Sequence, residues 1–504
     1  MPPPRVPPSG HWQLWPGCWG ALCWRGGASV EAKLALAQTA RDRAWCALLR
    51  GLRRRAGRWA LRGLGCLVSV PAVTKDRLGL WLLEAGLWQA MGAALGNHRG
   101  ALVRACRTCR RGRATPRIRS KSCVESRALG RLEAEALLRL WRYRAAYAVF
   151  GELARDSSCE AGQLWEDLPV APFRLRHDIA LATRLSLRGG RESGKLADAA
   201  THLQTALEHL RAAAATSGDG DEAGAGVASS CATTDDEIWW VRLGDLDVAT
   251  TNALRSGFFD RLASLSAYPA ERTACWEHAD PLRQDPSSWR AAEETFLSDG
   301  LAVVDDFLAQ GALEELWNYV LEATCFRTLR PGYLAAFPSD GCTHPAIRTA
   351  AEALARRLPR ALAGKPLARW WIFKYVASAE AGGRGVGLHA DDAAVNVNLW
   401  LTPDSACASG GGLEVFRGVP PRARAAADFN KVFASASDEA GARAELLRHG
   451  GADCVGYRQN RAVIFVSDRF HASQPFEFPD ARLPRANLTL LFGDRADAGA
   501  GVRR

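Results

Sequence analysis

The chain has no apolar run fit to cross a bilayer. Leu78–Gly96, "LGLWLLEAGLWQAMGAALG", is the only stretch long enough to invite that reading. Glu84 stands inside it and four glycines weaken it as a helix. An interior carboxylate costs roughly 3 kcal/mol on insertion scales, so a buried or interfacial helix is expected instead. The opening "MPPPRVPPSG" lacks the apolar h-region of a secretory signal. Disulfide-like spacing is missing too: the 14 cysteines are scattered, which fits a reducing compartment. Cys106 and Cys109 form a lone C-x-x-C in "RACRTCRRGR". Zinc sites of ribbon or finger type need a second pair, and none follows, so both are read as ordinary thiols. Methionine is nearly absent, with two in the chain, and no repeat has a clean period. Neither of these last two absences points to a function.

What is present is the composition of a globular protein, 48% hydrophobic and 24% charged over 504 residues, enough for several domains. Its net charge of +11 is unevenly placed. Residues 1–125 hold 22 Lys and Arg against 5 Asp and Glu, which leaves the remainder acidic. An Arg-rich, acid-poor segment suits an organelle transit peptide, an arm for nucleic acid or anionic membrane, or a poorly ordered solvated arm. Serine is too scarce for the first, and no nucleic-acid recognition motif supports the second. A solvated arm is expected. The protein is expected to be intracellular and cytoplasmic, with organelle targeting as the alternative.

Residues 127–215 read as a helical region. "RLEAEALLRLWRYRAAYAVFGELARD" and "KLADAATHLQTALEHLRAAAA" carry apolar residues at three- and four-residue spacing. His177 and Asp178 are adjacent between them, and helical neighbours point about 100° apart, so they make a poor ligand pair. Residues 216–237, "TSGDGDEAGAGVASSCATTDDE", have no apolar anchors and read as a linker. Residues 238–504 form the last unit. Helices alternate there with short strands, and from residue 370 onward come "WWIFKYVA", "VNVNLWLTP", "GGLEVFRG", "NRAVIFVSD" and "RANLTLLFG". Short β-branched and aromatic runs between turn residues indicate a sandwich or closed barrel. A charged, Ala-rich stretch at 422–449 reads as a helical insertion. The fold class is α+β.

Within "GLHADDAAVNVNLWLTP", His389 and Asp391 form an H-x-D pair at the mouth of a strand-like run. A period of two puts both side chains on one side of an extended segment. His471, in "AVIFVSDRFHASQPFEF", is the third candidate ligand and must arrive from another strand. Two imidazoles and one carboxylate on one face of a metal leave three positions open, the facial triad of non-haem Fe(II) oxygenases. Asp392 offers a substitute carboxylate if the register slips by one. His344, in "CTHPAIR", reads as a turn residue ahead of a helix, within reach of a substrate mouth. Arg485 follows His471 by fourteen residues and shares one strand face with Asn487 and Thr489. A buried guanidinium needs a carboxylate. Asp468 or Glu477 could supply it structurally; so could a dicarboxylate co-substrate that chelates the iron at its other end.

His389-x-Asp391, His471 and Arg485, in that order on β-rich sequence, resemble the 2-oxoglutarate- and Fe(II)-dependent oxygenase superfamily, with its prolyl-hydroxylase-like double-stranded β-helix (jelly-roll) core. "WWIFKYV", "DDAAVNVNLWLTPD", "GGLEVF", "YRQNRAVIFVSDRFH", "RANLTLLFG" and the upstream "GYLAAFPSDG" are similar to one branch of it. The similarity spans roughly residues 290–495. It implies a C-terminal jelly roll preceded by a helical region, with His389, Asp391 and His471 holding Fe(II) and Arg485 binding the distal carboxylate of 2-oxoglutarate. It also implies Tyr375 and Asn398 as further co-substrate contacts. O2 is then the oxidant, ascorbate a further candidate cofactor, and hydroxylation coupled to decarboxylation of 2-oxoglutarate the reaction. Related halogenases lack the carboxylate that Asp391 supplies here. The interval from Asp391 to His471 is longer than the superfamily's usual one, and the 422–449 insertion accounts for it.

Two other readings stay open at this point. One is a cupin-like metal protein that does not use 2-oxoglutarate, against which Arg485 speaks. The other is a non-catalytic interaction protein, against which the intact ligand set speaks. Whether the substrate is a small molecule or a protein or peptide side chain depends on loops outside the core.

Overall fold

The computed structural model describes residues 30–498 apart from 51, 69, 71–79, 116–123, 161–168, 171, 190–191, 217–240, 243–246, 258–267, 284, 331, 376–384, 419–429, 431–435 and 481. It combines antiparallel helix hairpins with a large antiparallel sheet.

The front of the chain is built from helices α1 (Val30–Leu49), α2 (Arg53–Val68), α3 (Trp81–Ala94) and α4 (Arg99–Ala114). Small side chains face inward: Ala44 and Ala47 of α1, Ala56 and Ala60 of α2, and Ala90 and Ala93 of α3 form one buried cluster. Helices can approach closely where no large side chain intervenes. The cations lie on the outside, and Arg43 and Arg62 place their guanidinium carbons 4.6 and 5.0 Å from the ring centre of Trp59. The solvated arm expected for residues 1–125 is therefore not what residues 30–114 form. Net charge reports what faces water, and an amphipathic helix can carry all of it on one side. Residues 1–29, where a targeting segment would lie, are outside the described residues. Between α3 and α4 the chain reverses through Gly96 and Asn97, both at positive φ (66° and 65°). No described helix is long and apolar enough to cross a membrane. The C-x-x-C thiols are buried on one face of α4, and burial pushes Cys106 up to about 11 and Cys109 higher still.

Two further hairpins follow, α5 (Val124–Arg139) with α6 (Tyr143–Glu160), and α7 (Pro172–Leu187) with α8 (Ser193–Thr216). The linker expected at 216–237 lies outside the described residues after Thr216, which ends α8.

Next come α9 (Pro286–Asp299), α10 (Gln310–Glu322) and α11 (Pro345–Arg357). The strands are β1 (Leu301–Val304), β2 (Thr328–Arg330), β3 (Tyr333–Ala336), β4 (Leu367–Tyr375), β5 (Val395–Trp400), β6 (Ser409–Gly410) and β7 (Leu413–Phe416). After helix α12 (Ala436–His449), within the expected insertion, come β8 (Ala452–Val455), β9 (Ala462–Val466), β10 (His471–Ser473), β11 (Phe476–Glu477) and β12 (Arg485–Phe492). Seven strands form one antiparallel sheet in the order β1-β9-β5-β12-β4-β3-β2. A smaller sheet runs β8-β7-β10, and an isolated bridge between His389 and His471 extends it by one position.

The large sheet has two different faces. Its outer face is apolar and carries helices: Leu488, Leu490, Ile372 and Val397 share a core with Trp289 and Phe296 of α9, Ile347 and Leu354 of α11, and Phe150 of α6. Tyr147 stacks on Trp370 at 4.5 Å between ring centres. The inner face meets the small sheet, where Trp400, Val463 and Phe465 pack on Leu413, Val415 and Val455. His344 caps the N-terminus of α11, its ring nitrogen accepting from the Ala346 amide at 3.1 Å, and lies buried against the neighbouring aromatics Tyr268 and Tyr319.

A candidate metal centre between the two sheets

The backbone at the metal centre is fixed before any side chain is considered. His389 and His471 exchange both backbone hydrogen bonds, at 3.0 and 2.8 Å, and the Asp391 amide donates to the Ser467 carbonyl at 3.2 Å. One potential ligand atom from each of His389, Asp391 and His471 lies within 4.8 Å of the others. The imidazole centres are 4.1 Å apart. His389 Nδ1 is 2.8 Å from the Gly387 carbonyl and His471 Nδ1 is 3.0 Å from the Arg469 carbonyl. Each Nδ1–H therefore donates to the backbone, which leaves both Nε2 atoms to face the site, that of His471 3.5 Å from Asp391 Oδ2. Asn396 Nδ2 donates to Asp391 Oδ2 at 3.0 Å and orients the carboxylate. Burial, then the neighbouring His471 ring, pushes His389 down to about 4. For Asp391, burial favours the protonated form, but the hydrogen bond and charge of His471 outweigh it and hold the group below the usual carboxylate range. His389 is thus kept neutral and Asp391 a carboxylate, the forms in which each can ligate a divalent cation. This donor set fits Fe(II), with Asp391 rather than Asp392 in the ligand group.

Arg485 begins β12 on the inner face of the large sheet, at the end away from Asn396. It is 2% exposed, yet among the described residues Nε and Nη2 donate only to the Gly411 carbonyl, at 3.2 and 2.9 Å, and Nη1 has no partner. Neither proposed structural counter-ion takes it: Asp468 binds Arg495 at 2.5 Å and Glu477 accepts from Ser409. Gly411 can present its carbonyl because its φ is +82°, and a Cβ on Gly410 would lie 1.9 Å from the Pro475 oxygen. Tyr375, the cross-strand partner of Arg485, puts its ring 4.7 Å from the guanidinium carbon. Asn398 lies nearer the triad and accepts from Asn487 Nδ2 at 3.1 Å. Arg485 Nη1, Asn487 Oδ1, Asn396 Oδ1 and Trp400 Nε1 are all buried without partners among the described residues, and by register all belong to this face. Unpaired buried polar atoms are costly, and a cluster of them marks where a polar ligand sits.

Sequence reasoning passed over three residues here. Asn396 had a signal, since it shares the period-two face of Asn398 in "VNVNLW". Asn430 and Glu439 had none. Asn430 grips the residue between the two H-x-D ligands, donating to the Ala390 carbonyl and accepting from its amide, both at 3.0 Å. Glu439, on α12, accepts from the Leu388 amide at 3.0 Å and from Arg443 at 3.1 Å, and Arg443 continues to Glu414 on β7. The insertion thereby clamps the H-x-D segment. Asn430→Ala and Glu439→Ala are each expected to weaken Fe(II) binding by about tenfold, as lost outer contacts to metal ligands do. Anaerobic metal titration measures this, and unchanged affinity would mean that the His389–His471 bridge suffices alone.

No family model matches the chain, and no curated protein matches it. Among solved structures it is similar to the non-heme alpha ketoglutarate dependent epimerase SnoN from nogalamycin biosynthesis, at 16% identity over 42% of this chain and 84% of that one, with a TM-score of 0.29. It is similar to EctD from S. alaskensis with 2-oxoglutarate and 5-hydroxyectoine, at 19% identity over 43% and 79%, TM-score 0.30. A Pseudomonas putida prolyl-4-hydroxylase gives 16% identity over 43% and 98%, TM-score 0.26.

Proposed function

We propose that the chain is a 2-oxoglutarate- and Fe(II)-dependent dioxygenase that couples oxidative decarboxylation of 2-oxoglutarate to hydroxylation of an organic substrate. One observation carries this reading: a row of incompletely paired amides on the inner face of the large sheet runs from the two-His, one-carboxylate triad, which the small sheet holds against it, to a buried guanidinium without a counter-ion among the described residues. His389, Asp391 and His471 would hold the metal, which supplies one-electron chemistry with O2 when bound. Arg485 would take the distal carboxylate of 2-oxoglutarate through its free Nη1. Tyr375 would cover that end, and Asn398, Asn487 and Thr489 would orient the co-substrate between. Asn396 keeps Asp391 turned toward the site, and Phe465, 4.9 Å from His471, helps keep water out. The two facing sheets support a double-stranded β-helix, with residues 238–504 as the catalytic unit. A cupin-like site would leave Arg485 without a purpose.

The test is an anaerobic titration with Fe(II) and then 2-oxoglutarate, following the visible metal-to-ligand charge-transfer band of the chelate. A band is expected, and Arg485→Met should raise the 2-oxoglutarate needed by roughly a hundredfold, the upper end of what a charge-assisted hydrogen bond is worth. Iron binding without a band would favour the cupin-like reading. No iron binding would overturn both.

A further inference from the structure

Cross-strand register sorts the inner face into rows, because directly paired residues point to the same side. One row holds Arg369, Leu491, Asn396 and Phe465, and the bond from Asn396 to Asp391 makes this the metal end. Trp371, Thr489 and Asn398 form the next row, then Phe373 with Asn487, and finally Tyr375 with Arg485. The polar half, on β5 and β12, is taken by the co-substrate in the reading above, on which this inference rests. On the half contributed by β4, only Tyr375 has an assignment.

That half is aromatic and open. Trp371 and Phe373 stack at 5.7 Å, Phe337 lies 6.2 and 6.3 Å from the two, and Tyr333 lies 4.7 Å from Phe373. All four are only partly buried, although they touch one another. At the metal end stands Arg369, exposed and without a hydrogen bond or ion pair among the described residues. Its charge is felt at Asp391 and Asp494. Asp494 is already held by both terminal nitrogens of Arg139, at 2.7 and 2.8 Å, and Glu439 by Arg443. Asp391 would be committed to iron. Arg369 thus stands on the open side as a guanidinium with no ion-pair partner among the described residues.

We propose that Arg369 and the rings of Trp371, Phe373, Phe337 and Tyr333 form the substrate subsite, and that the substrate carries a carboxylate or phosphate on a flat apolar body. A guanidinium fork matches either oxyanion, and ring faces match the body.

The experiment uses the full chain as its anaerobic Fe(II)–2-oxoglutarate chelate, titrated with phenylacetate, indole-3-acetate, phenyl phosphate and indole-3-acetamide. A shift of the visible band reads entry into the site. The acids are expected to half-saturate at concentrations about tenfold or more below the amide, the worth of one hydrogen-bonded charge. Comparing phenylacetate with phenyl phosphate identifies the oxyanion. Arg369→Gln should erase the preference for acids while the chelate still forms. Trp371→Leu should weaken indole-3-acetate and indole-3-acetamide alike. Equal shifts by acid and amide would overturn the proposal, as would no shift by any acid. So would an Arg369→Gln variant that loses 2-oxoglutarate affinity but keeps the preference, because that places Arg369 on the co-substrate. Absence of the band in the unmodified protein sinks the dioxygenase reading itself, a distinct result.

Discussion

Asp391→Ala is expected to leave a folded protein that does not retain Fe(II) through gel filtration, with affinity lowered far more than the tenfold to hundredfold typical of outer contacts. The variant removes the only negative ligand of the triad. Two neutral imidazoles then hold the ion, and Asn396 Nδ2 loses its acceptor. That orphaned donor costs stability of about 1–3 kcal/mol, so a modest fall in Tm should accompany the loss of metal. Asp391→Asn separates the two effects. It keeps the side-chain shape but not the charge, and should hold iron weakly with a Tm nearer the original. Asp392→Ala is the control and should bind iron as the unmodified protein does. The opposite pattern, with Asp392 essential and Asp391 dispensable, would refute the ligand assignment.

The second large effect concerns stability against pH. Lys374, on the outer face of β4, is 2% exposed. Its Nζ donates to His177 Nε2 at 2.8 Å and sits 4.0 Å from the ring centre of Phe326. His177 Nδ1–H donates in turn to Asp178 at 2.9 Å, and Arg174 holds the other carboxylate oxygen at 2.6 Å. Burial pushes Lys374 down to about 7, with Cys325 and Asp178 pulling the other way and Arg174 and Arg184 adding to the fall. Burial, then Lys374, pushes His177 down to about 4. Both groups bind a proton more readily in the unfolded chain, Lys374 from 10.5 and His177 from 6.5. Stability is therefore greatest above both unfolded values. It is lost as pH falls from about 10 toward 7 for Lys374, and again between 6.5 and 4 for His177. Each tenfold difference in proton affinity is worth about 1.4 kcal/mol, so the lysine alone should cost roughly 2–3 kcal/mol between pH 9 and 7. The double variant His177→Phe, Lys374→Met removes both titrations and leaves no nitrogen orphaned. Its Tm should exceed that of the unmodified protein at pH 6 by more than at pH 9. Parallel Tm curves from pH 5 to 10 would refute this.

The C-terminal half of the chain was easier to read than the front. On β12 the alternation of Arg485, Asn487 and Thr489 with apolar neighbours reports two unlike faces directly, since a strand repeats every two residues. H-x-D relies on the same rule. Charge misled at the front because the Ala-rich inner faces of α1–α3 are as weak a signal as they are an effective interface. His177 and Asp178 were dismissed as a ligand pair on helical geometry. They do bond to each other, with Lys374 as the third member, 197 residues away. Nothing local marks such a partner, nor Asn430 and Glu439 at the H-x-D segment. Periodicity tells which face is covered but not which distant atom covers it.

The bidentate pair between Arg139 and Asp494 has a consequence in time. The two residues are 355 positions apart, and Arg53 meets Asp497 across 444. At typical synthesis rates of 5–20 residues per second, Arg139 emerges roughly 20–70 s before its carboxylate exists. The early hairpins must wait through that interval for their last ion-pair partners, although β4, against which Tyr147 stacks, is complete by Tyr375. A nascent chain stalled before residue 485 should therefore hold front helices that lack these closing contacts, more open to protease and to chaperones than once the final strand and Asp494 are delivered.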